Sequence, residues 1–207
     1  MSTLSVVATH IGNLGDITLR ELDVLKKADV IACEDTRVSA KLLAKYDIKK
    51  PLVIYHAHSG RGAGERVLAL LADGKHVALV TDAGTPGISD PGNELVKAVR
   101  ARLPEVTIEA IAGASALTAA LSIAGVASDS FVFLGFLPHK KGRQTMFKEI
   151  AQLTRTIVFY ESPHRIEKAL ASLVEVLDDT RVVTVLRELT KLHESCVQGT
   201  AQEVATY

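Results

Sequence analysis

The chain has 207 residues and a mass of 22.2 kDa, enough for one large α/β domain or two small ones and for a core that needs no metal or disulfide staple. Hydrophobic residues make up 47% and charged residues 23%, which excludes wholesale disorder, and no apolar run approaches the roughly 18 residues of a membrane span. Twenty-four basic residues cancel twenty-four acidic ones, and five Phe, four Tyr and no Trp leave few platforms for stacked bases, so composition alone does not propose a nucleic-acid partner. The stretch from Met1 to Ala8 has no basic flank ahead of its apolar residues and is not a secretory signal. Cys33 and Cys196 lie far apart with no metal-ligand spacing. They read as reduced thiols of a cytoplasmic protein, Cys33 within a buried strand.

In chain order, Leu4 to Thr9 is a β-type run, followed by a glycine-containing loop and a helix over Thr18 to Lys27. Thr18 and Glu21 stand at capping-box spacing, which satisfies orphan N–H groups in the first turn of that helix. Further strands are expected over Val30 to Cys33, Leu52 to Tyr55, His76 to Thr81 and Val106 to Ile111, with helical spacing at Val67, Leu68 and Leu71 and at Leu95, Val96 and Val99. Near-continuous apolar strands separated by helices predict a parallel sheet covered on both faces. The second half reads as a small-residue helix over Ser115 to Gly125, strands over Phe131 to Phe136 and Thr156 to Tyr160, and an amphipathic helix from Ile166 to Leu177. Strand candidates follow at Arg181 to Leu186 and His193 to Val197. The expected division is an N-terminal α/β domain over 1–114 and a C-terminal α/β domain over 115–207.

Ligands of α/β sheets collect outside the carboxyl ends of the strands. Those positions hold T-H-I-G-N-L-G-D (Thr9 to Asp16), E-D-T-R (Glu34 to Arg37), H-A-H-S-G (His56 to Gly60), T-D-A-G-T-P-G-I-S-D-P-G (Thr81 to Gly92) and A-G-A-S-A (Ala112 to Ala116). The first loop has only Gly12 and Gly15 where a dinucleotide fingerprint needs three glycines, although Glu34 stands where a ribose-binding acid would. His56 and His58 alternate, but with no third ligand in reach no metal site is expected. The loop from Asp82 to Gly92 carries far more Gly, Pro and Asp than a simple turn requires.

Together, I-G-N-L-G-D-I-T-L-R, E-D-T-R, T-D-A-G-T-P-G-I-S-D-P-G, F-Y-E-S-P-H-R and R-E-L-T-K resemble the ribosomal RNA small-subunit methyltransferase I family of the tetrapyrrole-methylase superfamily. The resemblance runs almost end to end and in order. It implies two α/β domains with S-adenosylmethionine in the cleft between them, a cytoplasmic homodimer, and methylation of the ribose 2′-hydroxyl of a decoding-centre cytidine in 16S ribosomal RNA, free or within the small subunit. Carried over by position, it places the cofactor against Gly12, Asn13, Asp82, Gly84, Thr85, Pro86, Ser89, Ser115, Ala116, Tyr160 and Glu161. The chain departs from the family pattern at His10, where proline is usual, at Ala57, Ser59 and Gly60, and at Ala112. Family members also continue past the position of Tyr207, so either a truncated chain or a shortened member is expected.

Transfer of a methyl group from a sulfonium to an alcohol is an in-line displacement that needs close positioning and removal of a proton. Asp35, Glu161 and His164 are the candidates for assisting it, against a purely structural role for each, with Glu161 and His164 as partners of Arg37 and Arg165. RNA contact is assigned to Arg37, Lys140, Lys141, Arg143 and Arg165. Two other classes stay open at this point: a same-fold methyltransferase acting on a small tetrapyrrole-like molecule, and a cofactor- or RNA-binding module impaired in catalysis.

Overall fold

A computed structural model of the chain describes residues 2–56, 60–90 and 92–207. The paired-histidine reading therefore falls partly outside the described residues, at His58, as do Ala57, Ser59 and Pro91. The chain divides into two compact units, Met1–Ala116 and Leu117–Tyr207.

The first unit is a five-stranded, all-parallel sheet of β1 (Thr3–Val7), β2 (Val30–Cys33), β3 (Leu52–Ile54), β4 (His76–Leu79) and β5 (Thr107–Ile111), in the order β3-β2-β4-β1-β5. Alternation along the strands divides the core in two. On one face Leu4, Ala32, Val53, Val77 and Leu79 pack against Val67, Leu68 and Leu71 of α3 (Gly60–Ala72) and Leu95 and Val99 of α4 (Gly92–Arg102). On the other, Val7, Ile31, Cys33, Ala78 and Ile111 meet Leu25 of α1 (Leu19–Lys27) and Leu43 of α2 (Thr36–Lys45). Each fully buried Leu or Ile here is worth about 2–3 kcal/mol against exposure. The Thr18–Glu21 capping box is formed: Thr18 Oγ1 accepts from the Glu21 N–H at 3.1 Å, and Glu21 Oε2 accepts from the Thr18 N–H.

The second unit holds α5 (Ala116–Ile123, its first residue in the other unit), β6 (Phe131–Phe136), α6 (Arg143–Gln152), β7 (Thr156–Tyr160), α7 (Ile166–Val176), β8 (Val183–Arg187), β9 (Ser195–Gly199) and α8 (Ala201–Thr206). β6 and β7 pair in parallel, and β8 and β9 form an antiparallel hairpin. Leu137, Phe147, Ile150, Ala169, Leu173 and Ala201 make its core. In this unit two helices go beyond the sequence expectation, as α2 does in the first unit. α6 follows directly on the basic loop with Gly142, in the left-handed region (φ 84°), as its N-cap, and α8 starts with a capping box between Thr200 and Glu203. The last strand begins two residues later than its apolar pattern indicates. Turns closed by Lys191 N–H to Glu188 O (2.9 Å) and Glu194 N–H to Lys191 O (3.2 Å) take up the intervening residues.

Among the described residues no helix is long and apolar enough to cross a membrane, and no group of three His, Cys, Asp or Glu could hold a metal ion.

Candidate functional site

The strand order sets the site of the first unit. Because β1 lies between β4 and β5, the loops leaving those three strands are neighbours, although long stretches of sequence separate them. Backbone bonds join them. The Thr9 N–H donates to Gly84 O (2.8 Å), the Gly84 N–H returns a bond to His10 O (3.1 Å), and the Ala8 N–H donates to Ile111 O (3.1 Å). Side chains add two bonds: Thr9 Oγ1 donates to Thr81 O at 3.2 Å, and Thr85 Oγ1 to Ala114 O at 3.4 Å. Gly84 has φ 82°, which disfavours any L side chain, and a Cβ there would point at Ile11 Cγ2, 3.6 Å away.

The long loop is also closed on itself. Asp90 Oδ1 accepts from the N–H groups of Gly87 (2.5 Å) and Gly92 (3.0 Å), and the Ile88 N–H donates to Thr85 O (3.3 Å). Ser89 is held at φ 65°, an unusual setting for serine and of the kind that gathers at ligand sites. Gly12, Asn13, Ala83, Ser89, Ala112 and Gly113 are exposed, while Gly84 and Pro86 are buried beneath them. Asn13 Oδ1 accepts from the Gly15 N–H at 2.9 Å and fixes the turn that follows.

Two contributors to this surface were not singled out from sequence. Gly113 is exposed on one side, and on the other it lies so close to α1 that a Cβ would stand 1.7 Å from Glu21 Oε1 and 3.0 Å from Ala8 Cβ. Glu21 is fully buried, its Oε1 has no hydrogen-bond partner, and burial raises its carboxyl pKa against the opposing bonds from Thr18. The capping box thus also supplies a buried side chain under the loop after β5. The signal in the sequence was the small-residue run A-G-A-S-A, which is uninformative until the helix beneath it is placed.

Beside these loops, the Asp35 N–H donates to Asp82 Oδ1 (3.2 Å), and Thr81 Oγ1 donates to Glu34 Oε1. Asp35 caps α2 by accepting from the Arg37 N–H (2.8 Å) and pairs with the Arg37 guanidinium at 2.6 Å. Those bonds hold its carboxyl at about 2, which makes it a weak base. Arg37 itself is 86% exposed.

The second unit, taken by itself, holds a charged cluster after β7. Glu161, with only 3% of its side chain exposed, accepts from Arg143 at 2.9 Å and Arg165 at 2.7 Å, and Oε1 also takes the Ser162 N–H at 2.8 Å. Arg143 further donates to Pro138 O (3.1 Å) and lies 5.2 Å over the Phe147 ring. The five basic residues assigned to RNA therefore fall into two groups. Arg37, Lys140 and Lys141 are exposed, whereas Arg143 and Arg165 are drawn into the fold at 13% and 18% exposure. Of the partnership expected of Glu161 and His164 with Arg37 and Arg165, only Glu161 with Arg165 is present among the described residues; Arg143 is the second partner of Glu161, and Arg37 pairs with Asp35 instead. His164 is exposed, and among the described residues its imidazole makes no hydrogen bond; only its N–H is engaged, by Ser162 Oγ at 3.2 Å. Tyr160 packs edge-on against Phe133 at 5.0 Å and beside Phe136 at 5.4 Å, and burial pushes its phenol pKa up.

The family profile of the Tetrapyrrole (Corrin/Porphyrin) Methylases matches residues 3–205. A protein of Synechocystis sp. named Ribosomal RNA small subunit methyltransferase I is 49% identical, over all of this chain and 74% of its own length. The Thermotoga maritima protein of the same name is 42% identical over all of this chain and 92% of its length. Among solved structures, uroporphyrin-III C-methyltransferase of Thermus thermophilus complexed with S-adenosylhomocysteine superposes with a TM-score of 0.68 at 20% identity, covering 99% of this chain and 90% of that one. With a family profile spanning nearly its whole length and relatives above 40% identity from end to end, the chain belongs to the tetrapyrrole methylase family and, within it, to the ribosomal RNA small subunit methyltransferase I group.

Proposed function

We propose that this protein is an S-adenosylmethionine-dependent methyltransferase that modifies the ribose 2′-hydroxyl of a decoding-centre cytidine in 16S ribosomal RNA, acting as a cytoplasmic homodimer. The observation that carries the reading is the single surface made by the loops after β4, β1 and β5, bonded through Thr9, His10 and Gly84 and rich in exposed small residues at Gly12, Ala83, Ser89, Ala112 and Gly113. A cradle of that kind suits a ligand recognised through backbone groups and small polar side chains. The fit is supported by Gly113, whose missing Cβ keeps the loop after β5 seated on Glu21. When bound, the cofactor supplies an electrophilic methyl group on a sulfonium.

Gly12, Asn13, Asp82, Gly84, Thr85, Pro86, Ser89, Ser115 and Ala116 line the cofactor's place in this reading; Tyr160 and Glu161 are the cofactor candidates that the resemblance assigns in the second unit. Glu161 acts by shape, since both its oxygens already accept from arginines. Of the three candidates for accepting the hydroxyl proton, Asp35 is a weak base and Glu161 is committed, which leaves the His164 imidazole. Holding the oxygen in line with the methyl carbon supplies the larger share of the rate.

The test is methyl incorporation into small subunits purified from a strain lacking this activity, with mass spectrometry locating the modified ribose, beside calorimetry with S-adenosylhomocysteine. Binding at one site per chain and a single modified cytidine are expected. Methylation of a tetrapyrrole in place of RNA, or cofactor binding without transfer to any subunit, would overturn the assignment.

A further inference from the structure

The outer side of the long loop carries a second feature. Between that loop and α4 lies a groove of about 540 Å³ whose lining includes Pro86, Ile88, Asn93, Val96 and Ala101. Lys97 and Arg100 stand along it and are exposed. Among the described residues no acidic one lines it. Three residues apart on a helix, the two cations share one face and repel each other unless an anion lies between them. Among the described residues neither has an ion-pair partner, whereas Arg102 of the same helix is paired with Glu65 at 2.5 Å. Ile88 is 45% exposed at the groove although it belongs to the loop whose buried side is anchored at Gly84.

We propose that this groove is a binding site for single-stranded RNA, Lys97 and Arg100 taking phosphates while a base or ribose lies on Ile88 and Val96. This rests on the RNA-methylating function proposed above and deepens it, because it assigns the segment flanking the target nucleotide to the first unit. Cations beside an apolar surface suit RNA contact without sequence readout: phosphates supply affinity, and aliphatic side chains accept the face of any base or ribose. The neutral overall charge fits this arrangement, since the attraction is local. Occupancy of the groove also presses on the loop whose other side holds Gly84 and Thr85, so RNA and cofactor meet opposite sides of one loop.

The test compares the wild-type chain with the Lys97→Ala/Arg100→Ala double variant on two probes, purified small subunits and a non-cognate single-stranded RNA oligonucleotide, across a salt series. At about 0.7 per phosphate contact, the variant's salt slope should be shallower by about 1.4, with affinity roughly 10-fold lower near physiological salt. S-adenosylhomocysteine affinity should not change, and Lys97→Arg/Arg100→Lys should restore the slope. An unchanged slope on both probes would overturn the groove, as would a change in oligomeric state in its place, which would make it a contact between copies of this chain. Wild-type protein that binds the oligonucleotide through these two residues but methylates no subunit would leave the groove standing and remove the proposed function. Wild-type protein that binds neither probe removes both.

Discussion

The two units hold the loops at their strand ends by opposite means. In the first, the loops after β1, β4 and β5 are joined by main-chain hydrogen bonds and by glycines that let backbone approach backbone or, at Gly113, a buried carboxyl. In the second, the loop after β7 is held by one buried carboxylate between two guanidiniums. The sheets differ in the same sense. The central strands of the first unit are closed on both faces, while β6 to β9 form two separate pairs whose residues are mostly half-buried. A loop built from backbone leaves its remaining polar groups facing outward for a ligand and has no room for an added carbon. A loop built from ions accepts changes in shape but depends on all of its charges being matched.

The sharpest break of this comparison is Glu161→Ala. It leaves two largely buried guanidiniums without their carboxylate, and chemical denaturation should report a loss of about 3–5 kcal/mol. Replacing all three members, as Arg143→Met/Glu161→Leu/Arg165→Met, should cost much less, because no buried charge is left unmatched. If the single change cost no more than the triple one, the cluster would not be the anchor of that loop.

On the backbone-built side, Gly113→Ala forces a carbon into Glu21 and should cost about 1–3 kcal/mol together with most of the affinity for S-adenosylhomocysteine. Glu21→Ala in the same chain should recover part of both, and the double-mutant cycle measures the coupling. Additive effects of the two changes would show that the close approach is not what sets the loop.

Glu21 also gives the first unit a pH dependence. Its folded carboxyl titrates above the ordinary 4.5, so the folded state holds a proton that the unfolded state has released. The contribution is complete below about 4.5 and is lost as pH rises through the folded value. Glu21→Gln should remove that downward slope, read as thermal midpoints across a pH series, and a slope identical to wild type would assign it elsewhere. The smallest effect is expected at the exposed half of the basic loop. Lys140→Ala/Lys141→Ala should change stability by no more than about 0.5 kcal/mol, whereas adding Arg143→Ala should expose its structural role.

Much of the architecture was legible because it is local. Val30–Cys33, Phe131–Phe136 and Thr156–Tyr160 stand where β-branched and aromatic runs put them, and the spacing of Thr18 and Glu21 produced the capping box. The helix at Arg143–Gln152 was not read because its start, K-K-G-R, is as polar as a solvated loop. What fixes it is the seating of Phe147 and Ile150 in the core of the second unit. The burial of Arg143 is illegible for the same reason: its charge reads as surface until Glu161, eighteen residues on, is brought beside it.

By itself the sequence determined the strands of the first unit, the helices with clean periodicity or capping, which loops are rich in glycine and which family motifs stand in order, since periodicity, capping and turn chemistry act within a few residues. Only the tertiary structure decided that β1 runs between β4 and β5, that Gly113 rests on Glu21, and that Arg143 and Arg165 share one carboxylate. Each of these joins residues distant in the chain, through strand pairing and burial whose free energy exists only once both partners are in place.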